Sequence, residues 1–474
     1  MNYSDLDNTD DSYGHENRQE QLRRVRRAFS RGEAPGEFPD SELFEEIVDQ
    51  CIAENELEEG LRLCEHWRRF APFESGAWIR RGIILNGLNR PEEALQALER
   101  AEGLNPGEVE VVLHRGVAYH LLGDAGRAIE ELEKGIRQDP GNADLLFNYG
   151  LALQQTDRIE EALGIFRTLV PRQEYAVDSW YEIGYCFDLL GRYDRAIDAY
   201  DRHLDLDPYN ANAWYNRGIA QSRLGRLRRA NLSYDMAITI SEGFADAWYN
   251  KGNNLAALGF LDDAIECYQQ VLKLEQGDAS LWNNIGVAWE EVGDYDRAID
   301  AFRTAVTFDE LHYGAWFGLG CSLDAKNRFD DALDAFDRAA AIHSEDGDLW
   351  FIRGDLLYNM RRYVEAVESY RRATELLPED PDIWASIGNA CYVLGHFREA
   401  EEAYRESVRR DPDWTRGWYG YAVLLYTIEE DERAAEALER AESIESGQTA
   451  SFLLDFPDAI DSEPIAALLQ RSGE

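Results

Sequence analysis

The chain has 474 residues, of which 92 are acidic and 48 basic, giving a formal net charge of −44 at neutral pH. Such an excess of carboxylate argues against nucleic acid or anionic lipid as the main partner. With 45% hydrophobic and 12% aromatic residues there is ample material for a core, so the charge does not imply disorder. The basic residues are skewed: four are lysines (Lys134, Lys251, Lys273, Lys326) and 44 are arginines. A high-salt cytosol would favour such a surface, and a GC-rich genome would give part of the same skew. The six cysteines form no C-x-x-C pair and fall in predicted helices, so they read as reduced and buried. MNYSDLDNTDD has neither a basic nor an apolar stretch of a secretory signal, and no apolar run approaches membrane-spanning length. The expected location is the cytoplasm.

Taken in order, residues 1–14 are polar, acidic and non-periodic, which predicts disorder. Residues 16–30 predict a helix with Leu22, Val25 and Phe29 on one face, and five arginines make it the one concentrated basic segment. It reads as a docked N-terminal cap, or as a segment that folds back onto acidic repeats or recruits an acidic partner. RGEAPGEFPD (31–40) reads as a linker.

From Ser41 to Gln448 one 34-residue frame recurs twelve times without insertion or deletion. Numbered within each repeat, position 4 is Trp in nine copies, from Trp78 to Trp418. Position 8 is Gly in ten, with Val48 and Ala422 the exceptions, and position 20 is Ala in eleven, with Gly60 the exception. Position 24 is Tyr or Phe in eight, and position 15 is Gly or Asn in nine, as a left-handed helix end requires. Six repeats carry Pro at position 32. The pattern predicts a helix–turn–helix unit in which small residues at 8 and 20 let two helices approach and large ones at 4 and 24 fill the gaps. Position 4 is expected in the core. Asp or Asn at position 2 (Asp144, Asp178, Asn212, Asp246, Asp348, Asp382) is expected to cap the first helix.

W-x-x-x-G, Ala at 20, an aromatic at 24 and Pro at 32 resemble the tetratricopeptide repeat. The resemblance implies an all-α solenoid, a right-handed superhelix of antiparallel helix pairs whose first helices line a concave groove. After Gln448, residues 449–474 predict a C-terminal cap, with Ser462 and Pro464 opening a helix that carries Ile465, Leu468 and Leu469. Alternatively, Phe452, Leu453, Leu454 and Phe456 form a linear motif or a groove plug.

No nucleotide-binding P-loop, nucleophile elbow or H-E-x-x-H zinc motif is present, and the eight histidines are scattered, so no enzyme, metal or cofactor is implied. With position 4 buried, positions 2, 5, 6, 9, 12 and 13 are expected to face the groove. Position 6 then presents Asn148, Asn216, Asn250 and Asn284, and position 9 adds Asn253 and Asn389. Position 5 presents Tyr181, Tyr215 and Tyr249, with Tyr185 at position 9. An asparagine column can pair with an extended peptide backbone, and tyrosine offers flat apolar area with a polar tip. The column is similar to the asparagine ladder of the O-linked N-acetylglucosamine transferase family, whose transferase domain this chain lacks. The alternative is that these residues only stiffen the stack. Cochaperones of the repeat family that hold a C-terminal carboxylate use groove Lys and Arg. Position 5 here has neither, while Glu45, Glu46, Asp49, Asp188, Glu290, Glu291, Asp324 and Asp355 occupy groove positions. A neutral or basic peptide is therefore the expected partner. The expected function is a protein–protein interaction scaffold. The alternatives are a substrate-recruiting subunit for a separate enzyme and a self-assembling structural protein.

Overall fold

Helix pairs follow the predicted frame from its first repeat to its last. The computed structural model describes residues 22–27 and 40–472, all helix, turn or coil. Repeat 1 pairs Ser41–Ala53 with Leu57–Phe70, repeat 5 pairs Ala176–Leu189 with Tyr193–Leu206, and repeat 12 pairs Thr415–Thr427 with Asp431–Ile444. Second helices are 14 residues long except in repeat 4, where Ile159–Leu169 stops short of Pro171, whose ring cannot continue it. The chain forms two compact units, residues 1–242 and 243–474, divided at the end of the sixth repeat.

Each pair closes on one contact. A Cβ added to Gly184 would lie 2.6 Å from the Tyr200 ring, one on Gly252 2.6 Å from Tyr268, and one on Gly286 2.6 Å from Phe302. Only a residue without a side chain lets the position-24 ring lie on the first helix at position 8. Ala196, Ala264 and Ala298 at position 20 are fully buried beside it. Where Gly is absent, the partner shrinks: Val48 faces a repeat with Cys64 at position 24, and Ala422 one with Leu438.

All twelve residues at position 15 have positive φ, from Asn89 at 55° to Gly293 at 86°. The turn imposes that conformation even on Asp157, Arg361 and Glu429, which the composition of the position would not have suggested. Two expectations need correction. The first helices are capped two residues earlier than position 2. Asp40, Asn142, Asn210, Asp278, Asp346 and Asp380 accept first-turn N–H groups, and position 2 lies inside the first turn. The position-4 tryptophans are only half-buried, while Phe44 and Val112 at that position are buried, and it is position 3 (Ala213, Leu281, Ala315, Leu349, Ile383) that enters the core of the tryptophan repeats. The tryptophan, one residue further round the helix, lies over the preceding turn. Trp214, Trp316 and Trp418 each donate Nε1–H to the position-32 carbonyl of the repeat before, at 2.9 Å.

In the first unit, Leu22 and Val25 pack against Leu43, Phe44 and Cys51, and Arg26 reaches Glu54 (2.6 Å), Glu56 and Glu59 (3.3 Å). The described part of the basic segment, residues 22–27, is thus folded back on acidic residues of repeat 1. In the second unit, Phe452, Ala459, Ile465 and Leu468 join the core of the last repeats. Phe452 is therefore packed inside, and Leu454 is exposed. Ser462 precedes the Glu463–Ser472 helix, but its Oγ makes no capping bond. The expectations for residues 1–14, Phe29, the 31–39 linker and the Leu469 side chain fall outside the described residues. The cysteines are free and, apart from half-buried Cys321, fully buried, and burial lifts the Cys64 thiol to about 12.

Gly252→Ala should lower stability by about 1–3 kcal/mol through overpacking. Adding Tyr268→Leu should recover part of that loss, as the Ala422–Leu438 pairing implies. Separately, Arg361→Gly should raise stability by about 0.5–1 kcal/mol, because left-handed strain exceeds the entropy glycine adds. Urea midpoints of the four proteins check both.

Candidate functional site: the inner face of the first helices

Within each unit the first helices of successive repeats touch one another, as Ser75–Gly87 does Val109–Leu121 and Ala279–Val292 does Tyr313–Ala325. No comparably extensive contact joins successive second helices among the described residues. The first helices therefore form the inner face of each unit, and positions 5, 6, 9 and 12 are built into it.

Position 5 is more structural than the sequence suggested. Tyr181, Tyr215 and Tyr249 each pack on the position-24 ring of their own repeat, with centroids 6.0, 6.0 and 6.2 Å apart. All three are half-buried, while Tyr185 is 39% exposed and presents a free ring face. The asparagine column is likewise engaged. Asn216 donates Nδ2–H to the Tyr181 hydroxyl of the preceding repeat at 3.0 Å, and Asn284 donates to Tyr249 at 3.1 Å. Asn148 and Asn250 donate to the backbone oxygens of Asp144 and Asp246 in their own helices, at 2.8 and 3.1 Å. Asn216 and Asn284 thus tie repeat to repeat with their amide nitrogens. In the described contacts of Asn148, Asn216 and Asn284 the side-chain carbonyl takes no donor.

Position 9 answers a need that sequence reading missed. The buried position-24 tyrosine needs a partner for its hydroxyl. Tyr268 donates to Asn253 Oδ1 at 2.9 Å, Tyr404 to Asn389 Oδ1 at 2.7 Å, and Tyr370 to Asp355 Oδ1 at 2.7 Å. Asn253 also accepts from Asn284 at 3.1 Å. Asn253 and Asn389 are thus hydroxyl acceptors first. A Tyr at 24 matched with Asn or Asp fifteen residues earlier was the available signal.

The inner-face carboxylates divide in two. In repeat 1, Glu45 and Asp49 are held by Arg80 at 2.9 and 2.6 Å, and the same guanidinium reaches Glu110 at 2.8 Å. Glu182 and Asp188 have no ion pair among the described residues. Glu182 accepts from Gln154 Nε2 at 2.9 Å. Burial lifts the carboxyls of Glu182 and Asp188 above the usual carboxylate range, against the lowering effects of Gln154 and Arg223 respectively. Burial does the same in the second unit to Glu290, Asp324, Asp355 and Asp382. No group of three or more His, Cys, Asp or Glu side chains among the described residues is arranged to hold a metal ion. None of the described helices is long and apolar enough to cross a membrane.

A tetratricopeptide repeat model matches residues 79–143, 249–312, 317–381 and 386–449, more than half of the chain. Related models of the same repeat match 177–210 and 119–174. The chain belongs to the tetratricopeptide repeat family, and its class of function is the protein–protein interaction scaffold. No curated protein sequence matches it. Solved structures similar to it include YrrB, a tetratricopeptide protein with an unusual peptide-binding site, at 20% identity over 38% of this chain and 94% of that one (TM-score 0.35). The C-terminal part of a repeat protein from Cytophaga hutchinsonii is 17% identical over 51% of this chain and 99% of that one (TM-score 0.43). The Cut9–Hcn1 hetero-tetramer matches at 13% identity over 82% of this chain and 97% of that one (TM-score 0.40).

A carboxyl whose folded pKa is raised binds its proton more tightly in the folded state, so its ionised form costs stability above that pKa. Glu182 is faced by Asp178 and Tyr181 on its own helix, by Gln154 from repeat 4 and by Tyr200 from the second helix. Glu182→Gln should therefore be more stable than wild type at pH 7.5, and the gap should narrow as pH falls through the raised pKa. Reading the difference between the two proteins cancels other titrating groups, including His114, whose pKa burial lowers to about 4. Parallel thermal melts from pH 7.5 to 4.5 test it, and a wild type that is the more stable at pH 7.5 would refute it.

Proposed function

We propose that the chain is a non-enzymatic, cytoplasmic scaffold that holds extended or helical segments of a protein partner against its inner first-helix face. The observation that carries this reading is the position-6 asparagine, Asn148 and Asn216 in the first unit and Asn284 in the second. Each amide nitrogen is anchored within the protein at 2.8–3.1 Å, which fixes the carbonyl as an acceptor for a partner's backbone N–H. Asn250 extends the column, and Asn253 and Asn389 share its face while holding tyrosine hydroxyls. Tyr181 and Tyr215 form the apolar floor in the first unit, where Tyr185 is the ring most open to a ligand, and Tyr249 has the same role in the second. The unpaired carboxylates favour a neutral or basic segment over a carboxylate terminus. No cofactor enters this reading. We take residues 1–40 as a leader with a docked basic helix and 449–474 as a C-terminal cap. Residues 22–27 cover one end of the array and Ile465 and Leu468 the other, which speaks against assembly by end-to-end stacking.

Pull-down from native lysate with wild type and an Asn148/Asn216/Asn284→Ala variant tests the reading. Recovery of specific partners should fall about tenfold or more, since each lost acceptor is worth about 1 kcal/mol. Circular dichroism should show a helical protein of slightly lower midpoint. Unchanged recovery from the folded variant would make the column purely structural.

A further inference from the structure

The first helix of repeat 5, Ala176–Leu189, carries Glu182, Tyr185 and Asp188 at three-residue steps. At 1.5 Å and 100° per residue, the two carboxylates lie about 9 Å apart along the axis and about 120° apart around it, with the aromatic ring midway and next to each of them. Among the twelve repeats only this one has an aromatic at position 9 between acids at 6 and 12. The ring is 39% exposed. Asp188 Oδ1 is buried without a hydrogen-bond partner. Arg223, the cation whose field acts on Asp188, makes no ion pair with it among the described residues.

A second observation points into the same place. Tyr200, at position 24 of this repeat, is 0% exposed and its hydroxyl has no partner. Its counterparts are all bonded: Tyr234 to Ser222 at 3.2 Å, Tyr268 to Asn253, Tyr370 to Asp355 and Tyr404 to Asn389. Repeat 5 lacks the bond because position 9, the usual acceptor, is Tyr185. The charged groups whose fields act on the Tyr200 hydroxyl are Asp188 and then Glu182. Two carboxylates, an orphaned hydroxyl and an open ring face thus converge where no cation forms an ion pair among the described residues, although elsewhere Arg80 pairs with the same kind of acids.

We propose that this stripe receives an arginine side chain of the bound peptide, its guanidinium stacked on Tyr185 and its edges donating to Glu182 and Asp188. This rests on the inner-face reading above and names the partner's chemistry. Arginine fits better than lysine because a planar cation can stack on a ring while directing N–H groups to both sides. The Tyr200 oxygen offers a further acceptor at the base of the stripe.

The test uses the full chain and a phage-displayed random dodecapeptide library. Wild type should enrich peptides with arginine at one fixed register. Replacing that arginine by citrulline, which is neutral and nearly isosteric, should weaken binding about tenfold or more to wild type and less than about twofold to Glu182→Gln/Asp188→Asn. That double variant should be at least as stable as wild type, so lost binding cannot be assigned to lost fold. Tyr185→Ala, at an exposed position, should weaken the arginine peptide independently. Enriched peptides that depend on Asn216 or Asn284 but tolerate citrulline overturn this inference and leave the inner-face reading intact. Failure of the double variant to fold makes the stripe structural and also overturns it. No enrichment, or enrichment insensitive to every inner-face variant, removes both.

Discussion

The contact between a bare glycine backbone at position 8 and the position-24 side chain sixteen residues later governs the rest of the fold. Because a methyl group at Gly218 would lie 2.5 Å from the Tyr234 ring, the two helices of a pair are held at a separation only this combination allows. The same ring reaches forward. Gly318, at position 6 of repeat 9, has no room for a Cβ because Phe302 of repeat 8 fills the space. One side chain thus fixes both the closure of its own repeat and the approach of the next. This is how nearest-neighbour contacts build the one core that runs from Ala298 in repeat 8 to Leu468 beyond repeat 12.

The polar inner face follows from this wedge. A tyrosine used as the wedge carries its hydroxyl to the first helix, where it must find a partner, and the residue at position 9 or 12 is chosen accordingly. Repeats with phenylalanine at 24 are free of that demand: Val287 and Cys321 occupy position 9 opposite Phe302 and Phe336. Repeat 5 keeps the tyrosine and discards the acceptor. A buried hydroxyl without a partner costs about 1–3 kcal/mol, and uncompensated carboxylates beside it add to that cost. A stack optimised only for stability would not combine these features. Local conflict of this kind is where function is expected to reside.

Much of this architecture was legible because a repeat states each steric requirement many times over. The frame, the small residues at 8 and 20 and the left-handed residue at 15 were each read from a majority of copies, and the geometry then held for the exceptions, down to Glu429. What escaped notice involved phase and pairing. One residue of helical rotation separates the core position 3 from the tryptophan beside it, and aromatic size suggested the wrong one. The caps are hard to read from sequence because they fall on the last residue of the preceding frame, where Asp and Asn are interrupted by Glu, Ala, Phe, His and Trp. The asparagines stand out as a column, but the acceptors of Asn216 and Asn284 are invisible without the tyrosine hydroxyl a full repeat earlier.

The arginine excess gains a physical reason from the same pairing logic. Arg217 donates to Asp201 of the preceding repeat at 2.6 Å and to Ser233 of its own at 2.8 Å, and stacks over Trp214. Arg353 repeats the arrangement with Asp337 at 2.8 Å, Ser369 at 2.6 Å and Trp350. A lysine ammonium cannot make these divergent bonds while lying on a ring. Many of the other arginines make i,i+3 pairs such as Arg158–Glu161 and Arg372–Glu375, which are exposed and worth little each. The guanidinium is therefore structural where it bridges repeats and mainly compensating on the outer helices. Against that background the unneutralised acids of repeat 5 stand out. In a protein with 44 arginines, 13 of them within repeats 1–4 alone, none forms an ion pair with Glu182 or Asp188 among the described residues. Arg223 acts on Asp188 without pairing with it, which leaves room for the partner's arginine proposed above.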